Sequence, residues 1–267
     1  MLLAGILYLP GSKAQLPSFR GDARSQGMAN AGVMLANHWS GINNPAGLAG
    51  IKAISFGLFY ENYFELPELG MGAFSFGIPT KTGNYGISFI TFGYALFRQG
   101  QASLSYGKAF GNKFRAGIGL HYLIICQPAD YGNLYALVPS LGIQLLPLNG
   151  ITVGVQVFNP AGQQYIPSGY QDIPSGFRAG AGYKLGNEVL FCAEAEKIIK
   201  EKAKYYGGFE IILQKMLLMR FGVSSGQFSE FSFGIGLRSQ HLTIDLAATR
   251  HPVLGFSPAI GLTYVMK

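Results

Sequence analysis

The chain of 267 residues is 49% hydrophobic and only 12% charged, contains 38 glycines, and carries a formal net charge of +7. Ordinary soluble domains have about 25% charged residues, so the surface of this chain would be poorly hydrated in water. No apolar run approaches the roughly 20 residues of a membrane-spanning helix. Its lysines and arginines form no dense block of the kind that binds nucleic acid. The composition therefore favours a membrane β-barrel.

The N-terminus has the pattern of an export signal. Residues 1–14 contain a short apolar core followed by small residues, but lack the basic region that usually precedes such a core. We expect a signal peptide there, and a disordered apolar N-terminus is the alternative.

Residues 15–50 lack the alternation of a strand and predict an N-terminal plug. They favour two short helices, near 24–37 and 44–49. Asn44 is a good N-cap for the second helix, and Pro45 suits its first turn. Arg24 and Trp39 are expected to pack on the lumen wall, or to bind a ligand.

Residues 51–267 alternate between apolar and small or polar side chains, as strands with one lipid-facing side do. About fourteen such segments begin near residues 52, 71, 86, 101, 114, 134, 151, 173, 188, 204, 216, 230, 241 and 256. Short turns alternate with mostly longer connections, which is typical of outer-membrane barrels. The sequence predicts an all-β fold, a 14-stranded antiparallel transmembrane β-barrel with a short helical plug, surrounded by lipid in the bacterial outer membrane.

Charged side chains on several strands are expected to face the lumen. In neighbouring strands they mostly have opposite signs, which favours a salt-bridged network that neutralises buried charge. A polar path for a solute and paired catalytic carboxylates are the alternatives. The predicted network consists of Arg178, Glu194, Glu196, Glu210, Arg220, Arg238 and Asp245.

The longest outer connection and the last one contain aromatic and apolar residues. Such residues often mark protein contacts, although they also pack on lipid headgroups. The candidate partner-binding residues are Asn159, Tyr165, Tyr170, His251 and Leu254.

Nothing in the sequence indicates a cofactor, a metal centre or an enzyme. The four histidines lack the spacing of a ligand set, and nothing orients His251 beside Ser257 as a catalytic pair. Cys126 and Cys192 are expected on nonadjacent strands as free thiols.

Two stretches resemble a known family. The first stretch, residues 21–50, has the sequence GDARSQGMANAGVMLANHWSGINNPAGLAG. It resembles the hatch segment of the FadL-like superfamily of outer-membrane barrels, most closely that of its PorV/PorQ-like branch. The segment from Glu194 to Tyr264 is similar to the C-terminal strands of that branch. The resemblance implies a fourteen-stranded barrel with a plug.

The resemblance also implies two functional themes. PorV/PorQ-like members bind protein partners in type IX secretion, and fatty-acid transporters of the superfamily pass hydrophobic molecules inward. This chain is short and has little counterpart to the long external loops that build the lipid-binding groove of the transporters, which disfavours high-affinity fatty-acid uptake. We therefore expect a non-enzymatic barrel that binds protein partners of a secretion or assembly complex, with a channel for small hydrophobic molecules as the alternative.

Overall fold

The computed structural model describes residues 20–128, 132–167, 173–226 and 228–266. The expected signal peptide at 1–14 and the candidate residue Tyr170 lie outside these ranges. No helix in the described part of the chain is long and apolar enough to cross a membrane.

The described residues form a closed antiparallel barrel of fourteen strands, in which each strand pairs with its sequence neighbours and β1 pairs with β14. The predicted fold class is thus confirmed. The strands are β1 (Ser55–Asn62), β2 (Gly70–Pro79), β3 (Asn84–Tyr94), β4 (Phe97–Phe110), β5 (Phe114–Cys126), β6 (Leu134–Leu145), β7 (Ile151–Phe158), β8 (Gly176–Leu185), β9 (Val189–Ile198), β10 (Lys204–Leu213), β11 (Leu217–Ser225), β12 (Glu230–Arg238), β13 (Leu242–His251) and β14 (Gly255–Val265).

Alternation along each strand separates an apolar exterior from a polar interior. In β12, Phe231, Phe233 and Ile235 are exposed, whereas Ser232 between them is buried. Aromatic pairs lie near both strand ends, such as Phe110 with Phe114 at one end and Tyr122 with Tyr135 at the other. An apolar belt flanked by aromatic residues is the surface that lipid contacts.

We call the end where β1 starts and β14 ends the inner end, and the opposite end the outer end. The connections at the inner end are short turns. At the outer end, two connections are shorter than the sequence predicts. Only Ala95 and Leu96 join β3 to β4, and residues 252–254 join β13 to β14, because cross-strand pairing continues to Tyr94 with Phe97 and to His251 with Gly255.

The segment before β1 folds inside the barrel, with α1 (Ala23–Gln26), α2 (Ser40–Asn43) and a 3₁₀ helix (Pro45–Gly50). The predicted helix over 24–37 is wrong, since only one turn forms. Ala29 and Asn30 adopt positive φ angles of 55° and 65°, a conformation that ends a helix. Asn44 does cap the following helix, because its side chain accepts a hydrogen bond from Ala46 N.

Two further 3₁₀ turns, Tyr63–Glu65 and Pro67–Leu69, form the outer connection between β1 and β2. The connection between β7 and β8 is the longest and spans residues 159–175. Its described residues, 159–167 and 173–175, lie at the outer mouth.

Candidate functional site

The plug is packed tightly against the barrel wall. Trp39 is 2% exposed and meets the Phe59 ring edge-on at 6.4 Å between centroids. Asn44 is fully buried and donates to Val33 O at 2.8 Å and to Ile143 O of β6 at 3.2 Å. Pro45 lies over Gly117 of β5, where a Cβ would come within 2.3 Å of the Pro45 carbonyl carbon. Glycine on the wall therefore lets the plug backbone approach the strands.

A first charge cluster joins the plug to β10, β11 and β13. Arg24 of the plug makes a two-point contact with Glu210, at 2.7 and 2.9 Å. Glu210 also accepts from Arg220 Nε at 2.7 Å, and Arg220 Nη1 donates to Asp245 Oδ1 at 2.7 Å. Two guanidinium groups and two carboxylates thus neutralise one another in the lumen.

A second charge cluster joins the plug to β8 and β9. Arg178 Nε donates to Glu194 Oε1 at 2.6 Å, and the other Glu194 oxygen accepts from the backbone N–H groups of Gly32 and Val33 in the plug. Arg20 lies 2.8 Å from Glu196. The sequence analysis did not name Arg20, although a cation in the plug four residues before Arg24 could have indicated a second ion pair with the wall.

Arg238 lies beside the first cluster and interacts electrostatically with Glu210 and Asp245. Among the described residues it makes no ion pair, and its side chain is half-buried on the inner side of the plug. Its place at the inner end of β12 explains the difference, since the carboxylates of the clusters lie farther along the lumen. Arg238 is therefore a neighbour of the predicted network without a direct ion pair in it.

Basic side chains gather at the inner end of the barrel. Glu188 is the one described carboxylate at that end, whereas opposite charges nearly balance at the outer end. The net positive charge of the chain thus lies at one rim, although the sequence shows only scattered cations. The inner-end cations are Lys52, Lys81, Lys108, Lys113, Arg115, Lys184, Lys215 and Arg238.

Burial also sets the protonation of two plug residues. The pKa of the His38 imidazole is lowered to about 3 by burial, so this ring is neutral at physiological pH. Burial raises the pKa of the Asp22 carboxyl. His38 therefore adds no charge to the plug.

A cavity of about 110 Å³ lies between the plug, the outer half of the wall and residues Tyr165, Ile173 and Pro174. Its lining combines apolar and polar side chains. The lining residues are Arg20, Ile42, Gln101, His121, Leu123, Gln156, Phe158, Tyr165, Ile173, Pro174, Gly176, Arg178, Glu196 and Ile198.

The barrel wall beside this cavity has a gap in its strand pairing, which we call the seam. β6 pairs with β7 from Ser140 to Leu145, Pro139 O accepts from Asn159 N just after β7, and the edge of β6 from Leu134 to Val138 has no β7 partner. Residues 160–167, which we call the strap, cover it. Tyr135 and Ile166 exchange two backbone hydrogen bonds, at 3.0 and 2.8 Å.

Two of the predicted partner-binding residues are buried, Tyr165 in the strap and Asn159 just before it. Tyr165 is 3% exposed and packs with Leu123 and Ile173 in an apolar cluster under the outer mouth. Asn159 is fully buried, because its side chain bonds to the backbone of Gln163 and Ile173 and holds the connection in its bend. Neither side chain is available to a protein partner.

The other loop candidates lie at the outer surface. Leu254 is 53% exposed. His251 lies between the rings of Phe64 and Phe228, and its Nδ1 accepts from Leu254 N at 3.0 Å. Ser257 Oγ accepts from Phe64 N, so it has a structural partner away from His251. Cys126 and Cys192 are free thiols, and no cluster of three metal-ligating side chains occurs within the described ranges.

No protein-family model matches the chain, and no curated protein sequence does. Solved structures are nevertheless similar. One is a FadL homologue of Pseudomonas aeruginosa, with 12% identity, a TM-score of 0.71, and coverage of 91% of this chain and 98% of that chain. Another is the toluene transporter TbuX of Ralstonia pickettii, with 9% identity, a TM-score of 0.72, and coverage of 93% and 99%.

The chain is also similar to the outer membrane protein Omp33 of Acinetobacter baumannii, with 8% identity, a TM-score of 0.54, and coverage of 80% of this chain and 98% of that chain. A closed barrel with an apolar exterior is the form in which strands cross a bilayer, since no backbone edge is left unpaired in lipid. The chain therefore has the FadL-like fold of bacterial outer-membrane barrels, and the outer membrane is its location.

Proposed function

We propose that this protein is a non-enzymatic, passive outer-membrane channel for small hydrophobic molecules. The observation that carries the proposal is a partly apolar cavity, which the strap separates from the surrounding lipid at the seam. Structural similarity to a toluene transporter supports the same class of cargo. The expectation from sequence placed this function second.

The seam is the route of lower energetic cost. Passage along the barrel axis must displace the plug and break buried ion pairs in both charge clusters, which costs about 3–5 kcal/mol for each pair that loses a partner. Opening the seam parts the two backbone hydrogen bonds between Tyr135 and Ile166, each worth about 0.5–1.5 kcal/mol. Cargo would therefore move between the outer mouth, the cavity and the surrounding lipid.

A disulfide across the seam tests this route. Tyr135→Cys with Ile166→Cys, in a Cys126→Ser, Cys192→Ala background, joins two residues that lie opposite each other. Hydrogen-bonded antiparallel pairs have Cα atoms about 5.5 Å apart, within the range that a disulfide spans. Oxidation is expected to reduce uptake of radiolabelled toluene to the level of cells without the protein, and a reductant is expected to restore it.

The matched control is Ile87→Cys with Leu104→Cys, which crosslinks an existing outward pair of β3 and β4. It should leave uptake unchanged. The cells must have a lipopolysaccharide outer leaflet, because a phospholipid bilayer alone is permeable to toluene. Equal uptake by the oxidised and reduced seam variant would exclude the seam as the route, and no protein-dependent uptake at all would refute the channel.

A second candidate function is the one that the PorV/PorQ-like resemblance favours, which is binding of protein partners of a secretion complex. The occluded lumen supports it, because a scaffold needs no open path. Of its candidate contacts, Leu254 and His251 remain at the surface. Co-purification of a defined secretion component, lost in a Leu254→Asp variant, would support this function.

A further inference from the structure

The cavity is small and one side of it is apolar. Its volume of about 110 Å³ is below the roughly 150 Å³ of an engineered cavity that holds benzene. Phe158, Tyr165 and Ile173 form its outer side. Since Tyr165 belongs to the strap, a single ring can enter by pushing this side chain outward, whereas a long acyl chain cannot enter without moving the plug.

The cavity lining also contains polar side chains, and one of them has a carbonyl oxygen without a hydrogen-bond donor. The Gln101 side chain is 7% exposed, and its amide nitrogen donates to Ser103 Oγ at 2.9 Å. Its carbonyl oxygen has no hydrogen-bond donor among the described residues, although the residue lines the cavity. This oxygen is not one of the buried unpaired side-chain atoms, so it is accessible from the cavity and can accept from a bound donor.

Two guanidinium groups also line the cavity. Arg20 and Arg178 are 8% and 9% exposed, and the Nη2 atom of each lacks an aligned hydrogen-bond acceptor. Each Nη2 does lie close to a carboxylate, at 2.8 Å from Glu196 and 2.6 Å from Glu194. Each guanidinium group is therefore held by a carboxylate of the wall.

The charges around the cavity are balanced. Arg20 and Arg178 face Glu194 and Glu196, two cations against two carboxylates. Bringing a carboxylate ligand into this buried site would add an unpaired charge, which is expensive away from water. The occupant that fits is therefore uncharged.

We infer that the cavity binds a neutral single-ring molecule with one hydroxyl group, of which phenol is the simplest. The ring packs on Phe158, Tyr165 and Ile173, and the hydroxyl donates to the carbonyl oxygen of Gln101. This inference rests on the proposed function, because it names the class of cargo that occupies the proposed channel.

A series of three probes with one ring shape tests the inference. Radiolabelled benzene, phenol and benzoate differ at one substituent, and equilibrium dialysis against the purified protein in lipid nanodiscs measures their binding, with empty nanodiscs subtracted. We expect saturable phenol binding with a Kd at least ten-fold below those of benzene and benzoate. Transport plays no part in this readout, so loss of the uptake predicted above leaves the binding result interpretable.

Gln101→Leu is expected to raise the Kd of phenol to that of benzene and to leave benzene binding unchanged. Gln99→Leu is the matched control, since Gln99 is also buried and inward on β4 but does not line the cavity. It should preserve the preference for phenol. Benzene or benzoate binding as tightly as phenol, no saturable phenol binding, or an unaltered preference in Gln101→Leu would each overturn the inference.

Discussion

Replacing Glu210 with alanine is expected to lower the free energy of unfolding by about 3–5 kcal/mol, the cost of leaving buried charges without a partner. Glu210 is 1% exposed and accepts hydrogen bonds from both Arg24 and Arg220. Its loss leaves Arg24 without its carboxylate partner on the wall, while Arg220 keeps Asp245. The first turn of the plug should therefore detach before the barrel unfolds.

The single tryptophan of the chain reports this detachment. Trp39 lies in the plug and is 2% exposed, so its fluorescence emission should shift to longer wavelength when the plug leaves the wall. Urea titration in detergent micelles should show this shift at a lower urea concentration in Glu210→Ala than in the parent. Glu68→Ala, at an exposed carboxylate of the outer turn Pro67–Leu69, is the control and should behave as the parent. Identical titrations for both variants would show that the Arg24–Glu210 contact does not hold the plug on the wall.

Replacing Gly208 with leucine is expected to push the plug off the wall and open the lumen to ions. Gly208 faces inward on β10, where even a Cβ would lie 2.7 Å from Met28 Cβ and 2.8 Å from Met28 Cα. A leucine side chain at this position occupies the space of the plug backbone, and overpacking costs about 1–3 kcal/mol or more. Displacing the plug is the way to relieve it, because the strands are held on both sides.

Its neighbour provides a matched control. Gly207 faces lipid on the same strand, and a Cβ there would have no atom within 4 Å. In planar bilayers, we expect conductance steps from Gly208→Leu, and no conductance from the parent or Gly207→Leu. A silent Gly208→Leu barrel with an unshifted Trp39 emission would show that the wall glycines do not hold the plug in place.

The barrel itself could be predicted from the sequence because its signal is local. A period of two places Phe231, Phe233 and Ile235 on one face and Ser232 on the other, and each further strand repeats the pattern. Short turns and strand number follow from the same pattern. Location in the outer membrane follows in turn from an apolar exterior on a closed barrel.

The plug and the site could be predicted only in part, because they depend on contacts distant in sequence. Arg24 and Glu210 could be named as charged inward residues, but their direct pairing follows from the three-dimensional fold. Asn159 and Tyr165 have the composition of an exposed loop, and only the bend of the connection over the seam buries them. Gln101 resembles any polar strand residue until the cavity beside it is seen.

The most direct measurement of the central claim is a crystal structure of the protein soaked with 4-bromophenol, in which anomalous scattering locates the bromine. The account predicts a bromine peak in the cavity beside Phe158 and Tyr165, with the hydroxyl toward Gln101, at a concentration that saturates binding in solution. A saturated crystal with bromine only in the surrounding detergent, or in a different part of the lumen, would contradict it.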